Sequence, residues 1–285
     1  MSTNQPLSYK RSLIANAARS ILYPAHKLMP ARTYNSLYNT MRSVYWACQR
    51  VAYKGRVITA IAGGKSDHAA RIRLVDKLLP YTMGGPLALE STFDVVEKAE
   101  RACVDGALVE CGVARGGCSA MMALAARHFG SARKVWLFDS YEGLPEPTQD
   151  DFRGDAVGRV VGPLSAGMLV GTVEQVSDLM FNICKLDKND VNLVKGWFQD
   201  TLPVTRENIG PIAVLRLDGD WYESTKCCLE NLYDQVAPGG YVIIDDYATC
   251  YGCEKAVTEF LDGRKIKTEL VPDGRGGAWF RKPNP

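Results

Sequence analysis

The chain has 285 residues, of which 46% are hydrophobic and 23% charged, an ordinary balance for a soluble globular protein and enough for one large α/β domain with additions. No apolar run approaches the ~20 residues of a membrane-spanning helix; the stretch 57-VITAIAGG-64 stops far short. The net charge of +2 hides an asymmetry: residues 1–66 carry Lys10, Arg11, Arg19, Lys27, Arg32, Arg42, Arg50, Lys54, Arg56 and Lys65 and no acid, which leaves the body at −8. Nine cysteines, an odd number without a secretory signal, do not suit a disulfide framework. A reducing, cytoplasmic setting is expected. Cys250 and Cys253 form one CxxC, but none of His26, His68 and His128 lies near them to complete a zinc site. They read as ordinary thiols at the start of a helix.

In chain order, 12-SLIANAARSIL-22 and 34-YNSLYNTMRSVYWACQRVA-52 carry apolar residues at helical spacing, with Asn39, Arg42, Gln49 and Arg50 off the second stripe. Pro24 and Pro30 are expected to separate the two helices. From about residue 86 short apolar runs alternate with helical stretches: 107-ALVECG-112, 134-KVWLFD-139, 191-VNLVKG-196, 212-IAVLRLD-218 and 240-GYVIIDD-246. Runs this short and apolar on both faces suit buried parallel strands joined by βαβ crossovers. A helix at about 253–262 follows, and 268-TELV-271 with 277-GAWFR-281 can close the sheet as an antiparallel pair. Residues 143–172, rich in Gly, Pro and Asp, form a long insertion that reads as a lid or as a tolerated surface loop.

Open α/β sheets bind ligands beyond the carboxyl ends of their strands. The first predicted strand ends in 110-ECGVARGGCS-119, whose Gly112, Gly116 and Gly117 permit a tight turn, and the second ends in Asp139, placed to accept from ribose hydroxyls. A dinucleotide site is the obvious rival. However, Ala114 stands where the second glycine would admit a pyrophosphate, and Glu110 suits an ammonium group better than a diphosphate. S-adenosylmethionine, cationic and free of phosphate, fits that charge. The fourth strand ends in 218-DGD-220 and the fifth in Asp245 and Asp246, so three carboxylates converge where these strands are neighbours. Such a cluster calls for a hard divalent cation, typically Mg²⁺, unless the acids serve as helix caps.

The strings 81-YTM-83, 109-VECGVARGGCSA-120, 137-LFDSYEGLPEP-147, 196-GWFQDTLP-203, 214-VLRLDGDWYEST-225 and 238-PGGYVIIDDY-247 closely resemble the macrocin O-methyltransferase family, the bacterial sugar O-methyltransferases of macrolide and aminocoumarin pathways. The resemblance runs from Leu79 to Phe280. It implies a class I, Rossmann-like methyltransferase domain over 79–285, with a mainly parallel seven-stranded sheet and a terminal antiparallel hairpin, preceded by a helical extension over 1–78. It further implies Asp218, Asp245 and Asp246 as Mg²⁺ ligands and Asp220 as the general base. Thr82, Glu110, Gly112, Ser119, Asp139, Ser140, Gly143, Trp197, Phe198 and Asp218 would form the S-adenosylmethionine pocket. The implied reaction is methylation of a sugar hydroxyl in a metabolite, glycolipid or polysaccharide; a catechol-type diol is the alternative. The chain departs from the family in its basic arm. Its apolar stripe is expected first to pack on the catalytic body or a second copy in a homo-oligomer. A peripheral contact of residues 1–66 with the inner membrane surface ranks next, and a transit peptide last. No nucleic-acid motif is present, and no nucleic-acid partner is expected.

Overall fold

The computed structural model describes residues 13–62, 66–154, 156–160 and 162–284; Lys10, Arg11 and Lys65 of the basic arm lie outside them. Helices α1 (Leu13–Leu28), α2 (Ala31–Ala62), α3 (Ser66–Leu78) and α4 (Gly85–Arg101) precede β1 (Ala107–Cys111). There follow α5 (Gly117–His128), β2 (Val135–Asp139), α6 (Val173–Ser177), β3 (Val191–Lys195), α7 (Phe198–Thr205) and β4 (Ile212–Leu217). The chain closes with α8 (Tyr222–Leu232), β5 (Val236–Ile244), α9 (Tyr251–Gly263), β6 (Val271–Pro272) and β7 (Ala278–Arg281). The strand order is β3-β2-β1-β4-β5-β7-β6. All pairings are parallel except β5–β7 and β6–β7. This is the mainly parallel seven-stranded sheet with an antiparallel end that the sequence led us to expect.

Side chains alternate across the sheet. Leu108, Leu137 and Val214 pack on one side with Phe93, Met121 and Ile72, while Val109, Leu215 and Val242 pack on the other with Leu202, Leu229 and Val257. Strand order reverses between β1 and β4, so the carboxyl ends of β1, β2, β4 and β5 surround one crevice. In the β1–β4 register Glu110 stands opposite Arg216, two ionisable side chains on one buried face.

The arm differs from its sequence reading in two ways. Pro24 lies inside α1 and the chain breaks only at Met29 and Pro30. A proline removes one helical hydrogen bond, and here the helix continues through it because Leu22 and Ala25 on either side are held in the core. Only the first half of the predicted α2 stripe is its buried face: Tyr34, Leu37, Tyr38 and Met41 pack on the core. From Val44 on the stripe is exposed, Val44 and Val51 among it, whereas Arg42 and Gln49 are half-buried. Tyr34, near one end of α2, is buried with Leu164 and Met168 of the insertion, and its hydroxyl donates to Pro163 O at 2.8 Å. Tyr53, about 28 Å further along, is buried with α3 and α4 and donates to Glu90 at 2.9 Å. Helix α2 thus crosses from one side of the sheet to the other. Among the described residues no helix is long and apolar enough to cross a membrane.

The insertion 143–172 is folded down. Asp151 is fully buried and accepts from Tyr222 N at 2.6 Å and Thr148 N at 2.7 Å, which ties the insertion to the start of α8. Residues Gly158 and Cys250 form an antiparallel bridge.

Candidate functional site

A cavity opens in the crevice at the strand ends. Its floor is the turn after β1. Gly112 has φ 90°, and a Cβ there would lie 1.8 Å from Asp218 O, so only glycine lets the ends of β1 and β4 meet. Ala114 also adopts a left-handed φ, 47°. That strain is held by Asp139, which accepts from Val113 N at 2.7 Å and Ala114 N at 2.8 Å. The other Asp139 oxygen accepts from Tyr141 N at 2.6 Å. Its carboxylate keeps further lone pairs at the cavity wall.

Of the predicted cofactor residues, Gly112, Asp139, Ser140, Gly143, Trp197, Phe198 and Asp218 line this cavity, together with Met83, Leu144 and Leu169. Thr82 is buried next to Met83 and accepts from Gly84 N. Glu110 and Ser119 are buried below the floor and bond to each other rather than to open space. Among the described residues the lining holds Asp139, Asp218 and Asp220 and no Lys or Arg. A phosphate-bearing dinucleotide would meet only negative charge there, whereas a sulfonium and an ammonium group would be welcomed.

The acids at the ends of β4 and β5 do converge. Oxygens of Asp218, Asp245 and Asp246 lie within 4.8 Å of one another. Asp220 sits at the centre of a three-residue turn closed by Trp221 N donating to Gly219 O at 2.5 Å, with a left-handed φ of 55°. The turn is anchored by Trp221, buried and donating from its indole to Pro145 O at 3.0 Å. Such strain at a cavity lining marks a position that the surrounding structure holds on purpose.

Two arginines in the cluster were not read from the sequence. Arg216, 1% exposed, lies 3.1 Å from Glu110 and 3.2 Å from Asp218, and donates to Asp245. Arg275, from the turn between β6 and β7, also donates to Asp245 and lies 3.4 Å from Asp273. Arg216 left a signal, since a charge inside the buried run 212-IAVLRLD-218 requires a carboxylate partner. Arg275 left none; its neighbourhood reads as an ordinary glycine turn.

The charges act unequally on the acids. Burial would raise Asp245, but Arg216 and Arg275 outweigh it and hold the carboxyl below its usual range. Burial and Asp245 push Asp218 well up, against Arg216. Burial and Asp220 do the same to Asp246, and burial and Asp218 to Asp220. Burial raises Glu110 to about 7, with Arg216 and Ser119 opposing. Five carboxyls therefore face two guanidinia, and the cluster still lacks positive charge. Asp246 Oδ2 is buried with no hydrogen-bond partner among the described residues, while Oδ1 accepts from Thr249 at 3.1 Å. An orphaned carboxylate oxygen beside two more carboxylates fits a hard divalent cation. A second grouping, Asp220, Asp246 and Cys250, would add a sulfur ligand. Burial drives the Cys250 thiol well up, so it stays protonated and donates to Asp220 at 3.8 Å. The all-oxygen set is the one that suits Mg²⁺. Cys253 is buried in α9.

Comparison with known proteins points to one family. A model of the macrocin-O-methyltransferase family matches residues 32–282. The family likeness therefore reaches back through α2, well before Leu79. Demethyldecarbamoylnovobiocin O-methyltransferase of Streptomyces niveus is 39% identical over 203 residues, covering 71% of this chain and 76% of the relative. A tetracenomycin-C 4'-O-methyltransferase of Streptomyces olivaceus, which acts on a dimethoxy-rhamnosyl derivative, is 41% identical over 70% of this chain and 75% of its own. The solved O-methyltransferase NovP superposes with a TM-score of 0.63 at 38% identity, covering 72% of this chain and 83% of that one. The chain belongs to the macrocin-O-methyltransferase family and is an S-adenosylmethionine-dependent O-methyltransferase of class I fold.

Proposed function

We propose that this enzyme methylates a hydroxyl of a sugar carried by a small-molecule glycoside, with Mg²⁺ held by Asp218, Asp245 and Asp246 and with Asp220 as general base. The observation that carries the reading is a strained, buried Asp220 beside a three-carboxylate cluster in which Asp246 Oδ2 has no partner among the described residues, with Asp218 and Asp220 lining one cavity. The sugar acceptor is supported by relatives whose names specify a rhamnosyl tetracenomycin, demethyldecarbamoylnovobiocin and mycinamicin III.

Asp139 would take the ribose hydroxyls, and Trp197, Phe198, Leu144 and Leu169 would enclose the apolar parts of S-adenosylmethionine. Bound Mg²⁺ would supply the missing positive charge, keeping the surrounding carboxylates ionised and lowering the pKa of an acceptor hydroxyl. Asp220 receives the proton from that hydroxyl as its oxygen attacks the methyl carbon and the methyl–sulfur bond breaks. The turn around Asp220 fixes its carboxylate at the cavity wall, where it can take that proton. Arg216 and Arg275 fix the Asp245 carboxylate and need not touch either substrate. The catalytic unit over 79–285 is, on this view, completed by α2 of the extension.

The test is competition between glycosides and catechols for methyl groups from labelled S-adenosylmethionine, in wild type and Asp220→Asn. Transfer to a sugar hydroxyl, lost in the variant, is the expected result. Preferential methylation of the catechol would overturn the acceptor assignment.

A further inference from the structure

We infer that Asp220, Asp246 and Cys250 form a second cation site, for a thiophilic ion of the zinc type, whose occupation switches methyl transfer off. Binding at this site stands on its own geometry, and its effect on turnover rests on the reading of Asp220 as the base.

The three side chains come from three elements. Asp220 belongs to the turn after β4, Asp246 follows β5, and Cys250 is the residue before α9. One ligand atom of each lies within 4.8 Å of the other two, and all three residues are buried. Cys250 is held from two directions. Its N–H donates to Asp246 O at 2.9 Å, closing the turn that leads from β5 into α9. On the other side the insertion grips it, through the bridge from Gly158 and through Tyr251 N donating to Val157 O at 3.0 Å. Its Sγ stands 3.8 Å from Asp220 Oδ1. Asp220 is fixed in turn by its own left-handed turn. Ligands held this firmly by their surroundings are the condition for a metal site.

The donor set names the ion. Asp246 Oδ2 is buried without a partner among the described residues. Among the same residues neither Asp220 nor Asp246 forms an ion pair with a Lys or Arg, because Arg216 and Arg275 are taken up by Glu110, Asp218, Asp245 and Asp273. Two buried carboxyls left in that state call for a cation. Sulfur decides which one, since a thiol ligand selects zinc-type ions over Mg²⁺. Three protein ligands is also the number zinc takes where it keeps a fourth position open. Asp220 lines the cavity, which gives the ion a way in. Binding forms a zinc–sulfur bond and sends the Cys250 proton to solvent. Asp220 is then coordinated and can no longer receive the acceptor's proton. Asp246 is withdrawn from the set it shares with Asp218 and Asp245.

The test uses the full chain, stripped with EDTA and bound to S-adenosylhomocysteine, with the exposed Cys48 and Cys103 replaced by Ser. Titration with Cd²⁺ is expected to give the ultraviolet charge-transfer band of a cadmium thiolate. Cys250→Ser should remove that band. In the Mg²⁺-restored methylation assay the same variant should raise the half-inhibiting Zn²⁺ concentration at least about tenfold, the scale of losing even a supporting contact. Unchanged S-adenosylhomocysteine affinity reports an intact fold. No band with Cys250 present, a band that survives Cys250→Ser, or equal zinc sensitivity in the two proteins each overturns the site. Should the variant not fold, X-ray absorption of the parent chain loaded with one equivalent of Zn²⁺ decides. One sulfur at about 2.3 Å among oxygens supports the site, and a shell with no sulfur or several overturns it. A Cys250-dependent band without zinc inhibition of methylation keeps the site and removes Asp220 as the base. Mg²⁺-dependent methylation lost in Asp220→Asn, with no Cys250-dependent band, does the reverse.

Discussion

Replacing Arg216 by Met keeps a long, flexible side chain in the core and removes the one cation shared by Glu110, Asp218 and Asp245. Removing one partner of a buried ion pair costs about 3–5 kcal/mol, because the remaining charge is left without compensation. Three carboxyls lose a partner here, but Arg275 still answers Asp245, so the upper part of that range is the ceiling. The cost must depend on pH. In the wild type Asp245 is held below its unfolded value, so its pairing stabilises the fold above that value and is lost as pH falls through the folded one. In the variant Glu110 and Asp218, already raised, rise further. A raised acid favours the fold at low pH, and that contribution disappears as pH climbs through its folded value. Only the second effect separates pH 5 from pH 8, because both lie above the ordinary Asp range in which the Asp245 contribution changes, and it makes the deficit larger at pH 8. Urea unfolding of both proteins at the two pH values, with EDTA present, measures this directly. A deficit under about 1 kcal/mol at pH 8, or one equal at both pH values, would refute the charge account of the cluster.

Other consequences can be checked separately. Glu110→Gln should flatten the stability profile between the ordinary Glu value and about 7, a window over which wild type loses about 3 kcal/mol as pH rises; an unchanged slope counts against the buried acid. Gly112→Ala should cost about 3 kcal/mol or more, from a Cβ overlapping Asp218 O and an imposed left-handed φ; wild-type stability in that variant would contradict the strand-end packing. Asp220→Asn should lower kcat by about 10²–10⁴ while S-adenosylhomocysteine binds as before, since Asn tolerates the left-handed turn; near-normal turnover excludes Asp220 as the base.

Much of the sheet was legible because its cues are local. Five short apolar runs with acids or glycines at their ends named the parallel strands and the rim. Alternation of faces cannot say which side chains on a buried strand are ionised partners, so Glu110 was read as facing a ligand, whereas the β1–β4 register places it against Arg216. The second half of the α2 stripe was misread for a related reason, while Tyr34, Leu37, Tyr38 and Met41 do pack on the core. A helical stripe locates a face that avoids water only when polar residues face solvent. Here Arg42 and Gln49 are half-buried, and Val44 and Val51 turn outward. Arg275 was invisible, because its partner Asp245 lies 30 residues away and only the antiparallel end of the sheet brings them together.

The central claim is that Asp218, Asp245 and Asp246 hold a cation needed for methyl transfer. The direct measurement is the rate of sugar O-methylation in wild type stripped with EDTA, before and after Mg²⁺ is restored, with Asp246→Asn alongside. Stripping is expected to cost at least about a hundredfold, with full recovery on Mg²⁺ in wild type and no recovery in the variant. Undiminished methylation in EDTA would contradict it.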